Sequence, residues 1–475
     1  MIAGAALWSR IGTQFLPFAD AATPELPLGR LLRLSLFQVS VGMAAVLLTG
    51  TLNRVMIVEL GMSVSLVAAM VAIPLLFAPF RALIGHRSDH HRSVLGWKRV
   101  PYIWFGSLLQ FGGFAILPFG MLVMAGGGLG PGADWAGHIG SALGFLMVGA
   151  GMHMTQTAGL ALATDLAPLE SRPRVVALLY VMLLVGMLVS AIVIGQSLRD
   201  FSPTKLVQVI SGVAVATMVL NIIALWKQEV RNRAATSAEL PRPAFSALWA
   251  EFIARPRAAR LLVAVGLGAA AFSMQDVLLE PYGGSILSLS VSATTSLTAL
   301  WAAGMLGGFT IAARAMNGGA DPVRLAGFGG VVGIGAFLCV LFAAPLNSVA
   351  LLGFGAAMIG LGGGLFSVGT MVEAMGMAED GRSGLALGAW GSVQATCAGA
   401  AIAIGGIARD LISTAAVADG FGATLANPAT GYGVVYCVEI LLLLGTLVAL
   451  GPLVRGRIDA PRPAPGRFGL GQFPI

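Results

Sequence analysis

The chain is 475 residues long, 57% hydrophobic and only 10% charged, with 65 glycines and a formal net charge of +7. So little charge excludes an ordinary soluble globular domain. The pI near 9.8 would point to nucleic acid in a soluble protein, but here it is read through membrane topology, and no nucleic-acid partner is expected.

Residues 1–32 lack a basic stretch followed by an apolar core and cleavage site, so no signal peptide is expected. Trp8, Phe15 and Phe18 lie among polar positions, which reads as an interfacial segment or an unstructured tail. Apolar runs near the length of a bilayer crossing follow at 33–54, 64–84, 101–124, 138–163, 174–196, 206–226, 260–279, 292–314, 324–343, 348–370, 384–407 and 432–454. They predict an all-α polytopic membrane protein with twelve transmembrane helices. Six form an N-terminal bundle at 33–226 and six a C-terminal bundle at 260–454. A cytoplasmic middle loop at 227–259 joins them, and a tail at 455–475 follows. With both termini and the even-numbered connections in the cytoplasm, 24 of the 28 Lys and Arg residues fall on that side. Only Arg54, Arg199, Lys205 and Arg409 remain opposite, so the positive-inside rule places both termini in the cytoplasm. Cys339, Cys397 and Cys437 fall within spans without metal-ligand spacing and read as packing residues.

The two halves share a weak repeat. Glu170-Ser171-Arg172 recurs 210 residues later as Asp380-Gly381-Arg382, each before the fifth helix of its half. The loop from Gly85-His86-Arg87-Ser88-Asp89 to Gly96-Trp97-Lys98-Arg99 resembles the loop 2–3 motif of the major facilitator superfamily. Its counterpart, Gly318 to Arg324, is degenerate. The expected architecture is a major-facilitator-type 6+6 bundle.

Polar groups at membrane depth are few. Arg54 and Glu59 bracket the outer end of the first helix, either snorkelling to the interface or pairing. His153, Thr155, Gln156 and Thr157 form a patch in the fourth helix. Gln275, Asp276 and Glu280 close the seventh; the four-residue spacing stacks the two acids on one helical face, and Pro281 with Gly283 and Gly284 is expected to stop the helix. Gln394 lies in the eleventh helix and Glu439 in the twelfth, the latter read as a functional acid or as a structural one paired with an arginine. An isolated charge at bilayer centre costs roughly 2.5–3.5 kcal/mol on insertion scales, so each acid is expected to have a partner, water or a task. A lone histidine in a span is commonly a hydrogen-bonded structural group, yet a neutral imidazole also suits the metal of a tetrapyrrole. His86, His90 and His91 share their loop with Arg87, Asp89 and Arg92 and read as a solvated basic face, so no metal site is expected. Gly126-Gly127-Gly128 lacks the Lys-Ser/Thr of a phosphate loop, and hydrolase and redox motifs are absent, so no enzyme is expected.

Several blocks are similar to one family. They are Thr51–Gly61 (TLNRVMIVELG), Leu75–Gly85 (LLFAPFRALIG), Arg99–Gly106 (RVPYIWFG), Gln156–Pro168 (QTAGLALATDLAP), Ser171–Tyr180 (SRPRVVALLY) and Gln275–Gly284 (QDVLLEPYGG). Together they resemble the PucC/LhaA family of light-harvesting complex assembly proteins, related to the major facilitators. The resemblance implies a non-enzymatic assembly factor of the bacterial photosynthetic membrane. Such a protein would bind bacteriochlorophyll transiently, antenna α and β polypeptides, or both; pigment-synthesis enzymes and insertion machinery are further expected partners. His153 with Gln156 is the expected pigment site. Arg54, Glu59, Gln275, Asp276 and Glu280 are expected to form a gate or docking element at the periplasmic mouth, with Arg54 meeting Asp276. Arg81, Asp89, Lys98, Arg99, Asp165, Arg172 and Arg174 are the charged residues expected at the cytoplasmic loops. The competing reading is a proton-coupled secondary transporter of an amphipathic metabolite, using Asp276, Glu280 or Glu439. A third is a scaffold acting through the middle loop.

Overall fold

The computed structural model describes residues 22–23, 26–76, 80–81, 84, 88, 96–124, 134–168, 172–230, 254–317, 319–376, 383–418 and 427–458. Asp89, the three loop histidines and most of the middle loop lie outside them. The described residues form helices α1 (Leu28–Ala45), α2 (Val64–Leu76), α3 (Val100–Met124), α4 (Asp134–Leu166), α5 (Arg172–Ser197) and α6 (Pro203–Leu225). The second half contributes α7 (Pro256–Ser273), α8 (Leu279–Ser285), α9 (Val291–Asn317), α10 (Pro322–Ala343), α11 (Val349–Gly376), α12 (Ser383–Val417) and α13 (Ala429–Ile458). Ten helical stretches among the described residues are long and apolar enough to cross a bilayer, and Val64–Leu75 is a shorter apolar helix. The chain is a multi-pass membrane protein.

Local sequence explains several helix starts. Ser202 accepts from the amide of Lys205 and Pro203 opens α6; Asp321 accepts from the amides of Val323 and Arg324 and Pro322 opens α10. Proline fits the first turn because the amide it lacks would have no partner there.

Glycine sets how closely the helices approach. On α3, Gly106, Gly113 and Gly120 recur every seven residues, and on α4 Gly137, Gly144 and Gly151 do the same. A Cβ built on Gly113 would lie 2.7 Å from the carbonyl oxygen of Gly144. One built on Gly151 would lie 2.4 Å from that of Gly106. Seven residues is two turns, so the small residues form a straight seam along which two backbones touch.

Helices α1 and α3–α6 pack among themselves, as do α7 and α10–α13. The halves meet along α2 with α12 and along α5 with α9. The first helix of each half changes winding after 18 residues of regular α-helix. In α1 the chain continues as π-helix over Val46–Leu52 and Val55–Glu59; after α7 it tightens into a 3₁₀ turn over Met274–Val277. This corrects the expectation for 260–279. The helix breaks at Met274, before Pro281, and Pro281 sits in the first turn of α8, where a missing amide is harmless. Asp276 lies in the 3₁₀ turn and Glu280 in α8, so the two acids are not on one continuous α-helix.

Candidate functional site

The polar groups gather where α1 and α7 lose regular winding, at the end of the bundle remote from the start of α1. Four hydrogen bonds between described residues cross from one half to the other, and all lie at this far end. The hydroxyls of Thr51 and Thr295 are 3.2 Å apart. The Asn53 amide donates to the carbonyl of Asp276 at 3.2 Å. The Arg54 guanidinium donates to the carbonyl of Leu289 at 3.1 Å. The backbone amide of Ser65, in the first turn of α2, donates to the Asp410 carboxylate of α12 at 2.6 Å. That last contact places an anion on a helix N-terminus, where amides lack partners and the dipole favours it.

Arg54 is 4% exposed and pairs with Glu59 five residues on. The expected meeting of Arg54 with Asp276 does not occur; the neighbouring Asn53 reaches Asp276 instead, through its backbone. Glu280 is buried, accepts from the Thr298 hydroxyl, and leaves its second oxygen without a partner among the described residues. Gln275 donates to the Asp276 carboxylate. Gly284 lets the Arg54 guanidinium lie against the α8 backbone: a Cβ there would stand 3.1 Å from Nε. The predicted gate residues are thus brought into one junction, with Asn53, Thr298 and Asp410 as members the sequence reading did not single out.

Glu439 of α13 is 0% exposed; its carboxyl oxygens make no well-formed hydrogen bond among the described residues, and the backbone amide of Gln275 is the donor beside it. The arginine partner that the structural reading expected for it does not occur among the described residues. The α12 arginine, Arg409, binds Asp410 and lies 4.4 Å from the centre of the Tyr432 ring.

In the N-terminal half, Arg81 donates to Gln156 at 2.9 Å and to Thr157 at 3.1 Å, and Gln156 passes its own amide to Gln38. Gln110 donates to Thr155 at 3.0 Å. His153 is 7% exposed, and both ring nitrogens lack partners among the described residues. An orphaned imidazole fits the chemistry of an axial ligand to a magnesium macrocycle. The Gln156 amide already has a protein partner, so the predicted pair is only half free.

At the end where α1 starts, the following contacts between described residues lie within one half. Arg99 donates to Asp165 at 3.0 Å and to Ser88 at 2.5 Å. Glu229, just past α6, accepts from the backbone amides of Lys98, Arg99 and Val100 at 2.6–3.2 Å, capping α3 across 130 residues of sequence. Arg257 donates to Glu373 at 2.8 Å. Arg172 and Arg174 lie in the first turn of α5, their side chains outside the described set. No group of three or more His, Cys, Asp or Glu suited to a metal ion occurs among the described residues.

A family model described as PUCC protein matches residues 51–458. An uncharacterized protein of the puhA-bchM intergenic region of Rhodobacter capsulatus is 55% identical over the full length of both chains. Protein PucC of Rhodovulum sulfidophilum is 57% identical over 85% of this chain and 89% of its own. Among solved structures, an inward-facing, unoccupied bacterial homologue of the human lysosomal transporter Spinster superposes with a TM-score of 0.66, at 14% identity, over 92% of this chain and 98% of that one. This likeness gives the chain the fold of the major-facilitator transporters.

Proposed function

Since the chain belongs to the PucC family, we propose that it is a non-enzymatic assembly factor for bacterial light-harvesting antenna complexes. It would cross the photosynthetic membrane twelve times with both termini cytoplasmic. It would bind bacteriochlorophyll, antenna α and β polypeptides, or both, and promote their assembly. The observation that carries the pigment reading is His153: buried in an apolar bundle, with two ring nitrogens that no described residue engages. A bound bacteriochlorophyll would supply a magnesium that accepts one axial ligand. His153 would hold that magnesium, and Gln156 would join it only by giving up its bond to Gln38. The surrounding small-residue seams and apolar walls suit an amphiphile better than a sugar or ion.

The test is purification of the full chain in mild detergent from a phototrophic cell. Pigment or antenna polypeptide is expected to come with it, and His153→Leu should lower the pigment per protein without lowering the protein level. A pigment-free and partner-free preparation counts against the assembly reading; unchanged pigment stoichiometry in the variant removes His153 from it.

One observation favours a second reading, a proton-coupled secondary transporter: among the described residues, the hydrogen bonds that join the two halves gather at one end, as at an alternating-access gate. Proton-dependent flux of an amphipathic metabolite in proteoliposomes, abolished by Asp276→Asn, would establish it.

A further inference from the structure

We propose that the break after α7 is a binding site for a monovalent cation, a proton or a sodium ion, held on the carboxyls of Glu439 and Asp276. The site stands on its own, whether or not the chain handles pigment.

Glu439 is the anomaly that demands it. Buried polar atoms in folded proteins nearly always find partners, and a buried carboxyl with no charged partner, served at most by the backbone amide of Gln275, needs an explanation. One turn away on α13, Tyr436 is also fully buried, and its hydroxyl is unpartnered. Asp276 belongs to the 3₁₀ turn that packs directly on α13, so its charge acts on that of Glu439. From the other half, Asn53 donates its amide to the Asp276 carbonyl and keeps a buried, unpartnered side-chain oxygen. The junction therefore collects oxygens from three elements, and among the described residues the donors at Asp276 and Glu439 are amides of Gln275, its side chain on Asp276 and its backbone beside Glu439.

The neighbouring charges are already committed. From α12, Arg409 is bound to Asp410 and stacked on Tyr432. From α1, Arg54 is bound to Glu59 and to the carbonyl of Leu289. From α8, Glu280 is held by Thr298, and the Tyr282 hydroxyl bridges the carbonyl of Val340 and the amide of Ala344. Helix α10 adds only Cys339 at this level, and α2 carries no titratable residue. Two neighbouring acids with no basic partner require a cation between or upon them. Interrupted membrane helices are where such sites are built, because irregular winding turns backbone oxygens inward. Loss of the cation would set two like charges against each other at the point where Asn53 holds the halves together, so occupancy and far-end closure are coupled.

The experiment uses the full-length protein in detergent. Thermal unfolding is followed in sodium chloride against choline chloride at equal ionic strength, and across pH in choline, for the wild type, Glu439→Gln and Asp276→Asn. A ligand that binds only the folded state raises its melting temperature. If sodium is the cation, it raises the wild-type melting temperature by several degrees over choline, and both variants lose the response. If the proton is the cation, sodium has no effect, the wild type loses stability at alkaline pH, and Glu439→Gln, which mimics the neutral acid, does not. A wild type indifferent to both sodium and pH overturns the proposal. So does a Glu439→Gln protein that is less stable than wild type under every condition or fails to fold, since it would show an ionised Glu439 with a partner.

Discussion

Glu229 shows how much one side chain settles. Its carboxylate takes three amides at the start of α3 and so answers most of what a helix N-terminus leaves unpaired. Glu229→Ala is expected to lower stability by about 1–2 kcal/mol and to speed hydrogen exchange at the amides of Lys98, Arg99 and Val100; unchanged exchange there would refute the cap. Sequence could not show this contact. Glu229 reads as one more acid of the middle loop, and its partners lie 129–131 residues away. Arg54 and Glu59 were legible as a pair or as two snorkelling groups, and the π-helical winding that brings residues five apart together was not legible. Glu439 was legible only as an oddity, since no sequence pattern reports that a partner is missing.

At the scale of elements, backbone contact governs. A Cβ on Gly304 of α9 would sit 1.9 Å from the carbonyl oxygen of Ala357 on α11, and one on Gly360 would sit 2.0 Å from that of Trp301. Backbone cannot yield as a flexible side chain does, so Gly304→Ala should cost about 1–3 kcal/mol through forced separation of α9 from α11. Gly212 on α6 meets nothing within 4 Å, so Gly212→Ala is the control and should be close to neutral. Comparing the detergent melting curves of the two variants checks this; equal melting temperatures would show that α9 and α11 separate freely. The seven-residue glycine spacing on α3 and α4 could be read in advance as close packing, but not which pairs touch. Apolar runs located the helices well and their breaks poorly. Polar residues mark Val46–Glu59 and Met274–Val277 in the sequence, but polarity does not tell whether a helix widens to π or tightens to 3₁₀ there.

For the whole molecule, the far-end junction is the feature with mechanical meaning. Thr51→Cys with Thr295→Cys is expected to cross-link under mild oxidation, holding the halves together after proteolysis of the middle loop. Adding Arg54→Ala should lower the yield, because the guanidinium bond to Leu289 is lost. An unchanged yield would mean that packing of α2 on α12 and of α5 on α9 closes this end without help. An all-helical, multi-pass membrane bundle was legible from hydropathy. The junction was partly so: Arg54, Gln275, Asp276 and Glu280 were flagged as unusual for their depth, while the partners that fix their roles came from elsewhere in the chain.

Three of the four bonds across the halves end on the main chain: the carbonyls of Asp276 and Leu289 and the amide of Ser65. Every residue except proline offers both groups, so the side chain at the receiving position can drift without breaking the seam. Paired substitutions among relatives should therefore reveal little of this contact, with Thr51 and Thr295 the exception. A search for co-varying positions would rate the two halves as nearly independent where the structure joins them most directly.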